Sequence, residues 1–238
     1  MPFFFLRYLL YTYVTHLVYD IYDNMRSHTF TAGEFYHIYI HAIEARYLFN
    51  DEDDYKRFLV AMFVFNGTLS PPRLDRFNDL NLVYDIRDGE VDIGDSIVDL
   101  VSFCFMPTHA HLILKAKEDA NISKFMHRLQ VSYSKYYNQK YQRRGHVFER
   151  TFNSRHLDNN DYLLTTSCYL HLNPKSLSAW GGKEHLYPWS SYQDFIAQNR
   201  WGNLIKRDIV LSQFSNAVDY QHFIEEIKDF KDFDADAP

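Results

Sequence analysis

The stretch Phe35 to His41, F-Y-H-I-Y-I-H, repeats its character every second residue. Tyr36, Ile38 and Ile40 fall on one side and His37, Tyr39 and His41 on the other, as on a strand whose two faces meet different surroundings. A helical period follows. Asn50 or Asp51 caps a helix running to about Phe65, with Phe58, Leu59, Met62 and Phe63 as its apolar stripe and acids at 51–54 near its positive end. Residues 67–94 are polar and broken by Pro71-Pro72, Gly89 and Gly94, which reads as a long loop or insertion. Residues 97–105 and 110–115 form two short apolar runs around Pro107, predicted as strands. A helix spans 121 to about 141, before Gly145. Asn159 or Asn160 caps another, which stops near Asn173-Pro174 because proline disfavours helical geometry in the preceding residue. Ser190 and Gln193 have the spacing of a capping box, and residues 206–230 read as two further helices before an acidic tail.

Composition narrows the class. The chain has 238 residues, 46% hydrophobic and 24% charged, which excludes disordered, collagen-like and coiled-coil proteins. It suits one large domain, or a domain with an appendage, that needs no disulfides. Cys104 and Cys168 are not spaced for zinc, so a reducing, cytoplasmic setting is expected. Residues 1–24 are apolar and aromatic but short of a membrane span and interrupted by Arg7, and they lack a clear secretory pattern. With Met25 directly after them, they read as an atypical extension or a start-site artefact, and no membrane is expected as a partner.

Charge changes the picture more. The net charge is −6, yet residues 115–155 hold ten Lys or Arg against three acids, leaving 15 basic and 28 acidic residues for the rest. Tyr133, Tyr136, Tyr137, Tyr141 and Phe148 lie among those cations. Cations for phosphates beside aromatic faces for bases suit single-stranded nucleic acid.

Two constellations carry candidate chemistry. His109 and His111 stand two apart at the start of a strand, so both point to one face, roughly 6.5–7 Å apart along it, and can converge on one cation. Unpaired imidazoles near a sheet's centre are costly, which favours a ligand over a bland pair of polar residues. Tyr169 and Asn173 lie four apart on a predicted helix and share a face. An amide oxygen can complete a site begun by two histidines, and a hard oxygen suits Mg²⁺ or Mn²⁺. Tyr162 lies on the same face two turns earlier, so periodicity alone does not choose between the tyrosines as nucleophile.

These pieces stand in a recognisable order. Tyr36-His37, the run Phe105 to Leu112 reading F-M-P-T-H-A-H-L, Gly145-His146-Val147-Phe148 with Arg150 and Phe152, Tyr169-Leu170-His171-Leu172-Asn173-Pro174, and Tyr187-Pro188-Trp189-Ser190-Ser191-Tyr192 resemble the REP-associated tyrosine transposases, a branch of the single-tyrosine HUH transposases, over roughly residues 30–230. The resemblance carries the family's histidine–hydrophobic–histidine motif onto His109, Ala110 and His111, its catalytic tyrosine onto Tyr169 and its third metal ligand onto Asn173. Three features depart from the pattern: Thr108 where asparagine is common, Ile40-His41 where Asn-Arg often follows, and Lys175-Ser176-Leu177-Ser178 after Pro174. They bear on specificity, since each ligand and the nucleophile are present. Residues 1–24 have no counterpart in the family.

The expected fold is α+β: a ferredoxin-like antiparallel sheet with helices on one face over residues 30–180, and a C-terminal helical appendage over 185–238 anchored by Trp189. The resemblance implies a metal-dependent single-stranded DNA endonuclease and strand-transferase. Tyr169 would form a 5′-phosphotyrosine on hairpin or repeat DNA, and His109, His111 and Asn173 would hold one Mg²⁺ or Mn²⁺. Lys124, Arg128, Lys135, Arg143 and Arg144 are the candidates for tracking phosphates, in a monomer or homodimer. The rival expectations are a catalytically inactive DNA-hairpin-binding module and a metal-dependent nuclease that uses water.

Overall fold

The computed structural model describes residues 29–70 and 79–228. The segment 1–24 and the acidic tail after 228 lie outside the described residues. Four strands, β1 Phe35–His41, β2 Val98–Met106, β3 His109–Ala116 and β4 Asn153–Leu157, make one antiparallel sheet in the order β2-β3-β1-β4. With α1 Glu52–Val64 between β1 and β2, and α3 Asn121–Lys140 between β3 and β4, this is the ferredoxin-like arrangement. β3, with both histidines of the H-A-H motif, is central.

Register assigns the faces. Ile38 pairs with Leu112 and Ile40 with Ala110, and this face is covered by α1 and α3. Phe105, opposite Ala110, meets Phe49 and Phe58 at ring-centroid distances of 5.8 and 5.0 Å, and Tyr133 of α3 closes on Phe58 at 5.1 Å. The helices expected on one face are these two. The other face, with Tyr39 opposite His111 and His41 opposite His109, is covered by α4 Asn160–Leu172. Asp51 caps α1 by accepting from Asp54 N–H, and Asn159 caps α4 by accepting from Tyr162 N–H.

Several local expectations change. The stretch read as a loop over 67–94 contains α2, Leu80–Arg87, whose Leu82, Val83 and Ile86 are buried; eight residues carry too little periodicity to announce a helix. The edge strand β4 reads N-S-R-H-L, without the β-branched or aromatic residues that mark a strand, and pairing with β1 creates it. Asn173 keeps helical angles (φ −51°, ψ −40°) despite preceding Pro174, so α4 runs straight into a 3₁₀ turn, Asn173–Ser176. At α5, Tyr192–Ile196, no capping box forms: Ser190 Oγ accepts from Tyr192 N–H, while Gln193 Nε2 donates to the Tyr187 carbonyl.

The appendage covers the outer edge of β2. Phe105 N–H donates to the Trp189 carbonyl, Ser191 N–H to Phe103 and Lys206 N–H to Leu100, which closes an edge that would otherwise invite pairing. Trp189 stacks on Tyr55 at 4.8 Å and 11°, as an anchor. The later helices α6 Asp208–Leu211 and α7 Ala217–Lys228 pack over α4. A buried chain ties α7 and Ser191 to α4: Ser167 Oγ to Tyr220 Oη (2.8 Å), Tyr220 Oη to His171 Nδ1 (2.8 Å), and His171 Nε2 to Ser191 Oγ (3.0 Å). No helix among the described residues is long and apolar enough to cross a membrane.

Candidate active site

The site lies where α4 crosses β1 and β3. Alternation on β3 turns His109 and His111 to the α4 side. Their rings meet at 4.8 Å in a T-shaped arrangement, and the Tyr169 ring stands edge-on to His111 at 5.5 Å. One turn further, at the end of α4, Asn173 is buried and faces His109. Thus Tyr169, His109, His111 and Asn173, spread over 65 positions in the chain, come together. Tyr162 lies about 10 Å from Tyr169 along the helix axis at 1.5 Å per residue, with the Arg155 guanidinium 5.9 Å from its ring.

Hydrogen bonding gives each imidazole an orientation. His109 Nδ1 is 3.0 Å from Thr108 Oγ1, so Nε2 is the nitrogen left to the site. Thr108, one of the departures from the family pattern, thereby orients the first histidine. His111 Nδ1 is 3.0 Å from His37 Nε2, and His111 Nε2 is buried without a hydrogen-bond partner. Both polar atoms of the Asn173 amide are likewise buried and fall short of full hydrogen-bond geometry, with His109 the polar group the amide approaches. A buried polar group left unsatisfied costs about 1–3 kcal/mol, so these orphaned atoms mark a place shaped for a ligand rather than for packing.

The electrostatics agree with that reading. Burial pushes His109 down to about 3, helped by His41 and opposed by Asn173; burial and then Arg155 bring His37 to about 3. His111 is lowered well below the usual range by burial and its three imidazole neighbours. His41, stacked on His109 at 5.1 Å, is lowered by burial against the pull of Glu149. All four are therefore neutral at pH 7, the form in which imidazole ligates a metal. Among the described residues no group of three or more His, Cys, Asp or Glu is arranged to hold a metal ion. A cation here needs the amide oxygen of Asn173 beside the two imidazoles, a neutral donor set with one hard ligand, and the orphaned atoms fit that role.

The basic residues divide. Ile43 N–H donates to the Val147 carbonyl and Glu149 N–H to that of His41, which sets the loop after α3 at the sheet end carrying His41 and His109. Arg143 and Arg144 start that loop; Arg144 is exposed and Arg143 lies 5.7 Å from the Tyr137 ring. Lys124, Arg128 and Lys135 are on α3, on the other side of the sheet from Tyr169. Arg128 donates to the Gly67 carbonyl at 2.7 Å, and with Lys135, Arg57 and Lys140 it lines a groove of about 710 Å³. The structure does not bring these three to the histidine pair. What sequence reasoning left out is His37, whose link to His111 spans 74 positions; its place on the histidine face of β1 was the available signal.

The geometry can be set beside known proteins. Residues 93–173 match the family model described as transposase IS200 like. That stretch begins just before β2 and ends on Asn173, so it includes both histidines and Tyr169. No curated protein matches. Among solved structures, one described as a REP-associated tyrosine transposase bound to a REP hairpin is similar in fold, with 11% sequence identity and a TM-score of 0.50, over 76% of this chain and 88% of the other.

Proposed function

We propose that this chain, whose residues 93–173 match the IS200-like transposase model, is a metal-dependent single-stranded DNA endonuclease and strand-transferase acting through a phosphotyrosine intermediate. The observation that carries the reading is the meeting of Tyr169 with His109, His111 and Asn173 at a site where His111 Nε2 is buried without a partner and the buried Asn173 amide, approaching His109, lacks full hydrogen-bond geometry.

In this reading His109, His111 and Asn173 hold one Mg²⁺ or Mn²⁺. When bound, the cation polarises the scissile phosphate and offsets charge developing on it. Tyr169 Oη forms the new bond to phosphorus and gives up its phenolic proton. The bond from phosphorus to the 3′-oxygen breaks, and that oxygen takes up a proton. The products are a 5′-phosphotyrosine and a free 3′-hydroxyl. The phosphodiester energy is conserved in the covalent link, so a second 3′-hydroxyl can reseal the strand without ATP. The neutral imidazoles leave no negative charge to repel the incoming phosphate. Arg143 and Arg144, at the same end of the sheet, hold the strand, and Lys124, Arg128 and Lys135 give positive surface on the far side. Hairpin DNA is the proposed substrate, in keeping with the REP hairpin bound to the structural neighbour.

The test is denaturing electrophoresis of labelled hairpin oligonucleotides with single-stranded flanks, with Mg²⁺, Mn²⁺ or EDTA. The expected result is a metal-dependent covalent protein–DNA band, lost in His109→Ala while hairpin binding stays within a few fold. Cleavage without such a band points to a water-using nuclease, and binding without cleavage to a hairpin-binding module.

A further inference from the structure

His37 has no part in the chemistry just described, yet it is fully buried against the residues that do. Its Nε2 lies 3.0 Å from His111 Nδ1. Its ring packs on Tyr39 at 5.3 Å and Tyr169 at 6.1 Å, which holds it in place. Two neutral imidazole nitrogens at that separation share one proton, and its position decides the character of the opposite nitrogen of His111. If His111 Nδ1 carries the proton and donates it, His111 Nε2 is a lone pair that can ligate a cation. If His37 Nε2 carries it, His111 Nε2 is itself an N–H and cannot.

We propose that His37 is a positioning residue: it accepts the Nδ1 proton of His111 and so holds that ring with its Nε2 lone pair presented to the cation site beside Tyr169. The inference rests on the metal reading given above. Two observations support it. His111 Nε2 has no hydrogen-bond partner, so the contact with His37 is the ring's polar anchor. The companion ligand is built alike, with Thr108 Oγ1 on His109 Nδ1, so each imidazole is supported on Nδ1. A carboxylate more often takes this supporting role. Here a carboxylate would add negative charge where a phosphodiester must approach; a neutral imidazole orients the ligand without that repulsion.

The test is Mn²⁺ titration of the full-length, DNA-free protein, followed by electron paramagnetic resonance, for wild type, His37→Phe, His37→Gln and His37→Asn. Phe keeps a ring and removes the acceptor. Gln carries an amide oxygen out to the position of Nε2, whereas Asn reaches only that of Nδ1. Mn²⁺ affinity should fall about 10–100-fold in the Phe and Asn variants and return to within a few fold of wild type in Gln. Binding of a labelled DNA hairpin in EDTA should be equal in all four. If the Phe variant does not fold, the comparison of Gln with Asn still decides, since a merely structural role does not require the longer amide to restore metal affinity. Wild-type affinity in a folded Phe variant, or equal affinities for Gln and Asn, overturns the role of His37 alone. Absence of saturable Mn²⁺ binding by the wild type overturns the metal reading, and this inference with it.

Discussion

Replacing Asn173 by leucine should make the metal-free protein more stable and the enzyme inactive. Asn173 is 1% exposed, and neither its Oδ1 nor its Nδ2 reaches full hydrogen-bond geometry, His109 being the polar group the amide approaches. Leucine has nearly the same shape and no polar atom. The substitution removes two unsatisfied groups, and each such group costs about 1–3 kcal/mol. Close approach of the amide to His109 recovers part of that cost, so a net gain of about 1–3 kcal/mol is expected. For a chain of this size that raises Tm by about 3–10 °C. The helical angles of Asn173 suit leucine, so no backbone strain opposes the gain. The assay is thermal unfolding by circular dichroism in EDTA, beside Mn²⁺ titration and the covalent-adduct gel. Stabilisation with loss of Mn²⁺ binding and of the adduct is the pattern of a ligand kept at the expense of stability. A fall in Tm of comparable size would falsify the reasoning, because it would mean the amide holds the fold together.

Three further outcomes are expected. Tyr169→Phe should eliminate the covalent adduct while preserving Tm within about 2 °C and hairpin binding, and Tyr162→Phe should keep the adduct, since its ring sits under Arg155 and away from His111; mass spectrometry placing DNA on a Tyr162 peptide contradicts this. Neutralising Arg143 and Arg144 together should weaken binding to all single-stranded sequences alike and reduce the salt slope by about 1.4, from roughly 0.7 per phosphate contact; an unchanged salt titration makes them only solvated charges. Asp54→Ala should destabilise the fold by about 3 kcal/mol, because its buried carboxylate accepts from Tyr136 Oη (3.0 Å), Lys140 Nζ (2.7 Å), Tyr141 Oη (2.7 Å) and Asn50 N–H (2.8 Å) and ties α1 to α3. Denaturant unfolding checks it, and a loss under about 1 kcal/mol shows that water replaces those bonds readily.

Short-range order was written locally. The period of two in Phe35–His41 named β1 to the residue, because alternation there separates the α1–α3 core from the histidine face. Asn50-Asp51 and Asn159-Asn160 marked helix starts because a cap is a bond to a backbone N–H within three residues, and the structure uses Asp51 and Asn159. The spacing of His109 with His111, and of Tyr169 with Asn173, set each pair on one face for the same reason: strand and helix periods hold over a few residues whatever the surroundings. Where local preference was weak, as in α2 and β4, the pattern was silent, and only burial of Leu82, Val83 and Ile86 or pairing with β1 made an element.

What crosses the chain was decided by tertiary structure. Which face a connecting helix covers depends on how the whole chain winds over the sheet, so the basic run of α3 reads as one surface in sequence but divides in space. Arg143 and Arg144 start a loop whose Val147 and Glu149 are tied to the sheet end carrying His41, while Lys124, Arg128 and Lys135 lie across the sheet from Tyr169. The contact of His37 with His111 and the approach of Asn173 to His109 come from strand register and from the docking of α4. Residues 64 and 74 apart meet there because the sheet and helix bury their apolar faces together, a condition on the entire core that no stretch of sequence expresses alone.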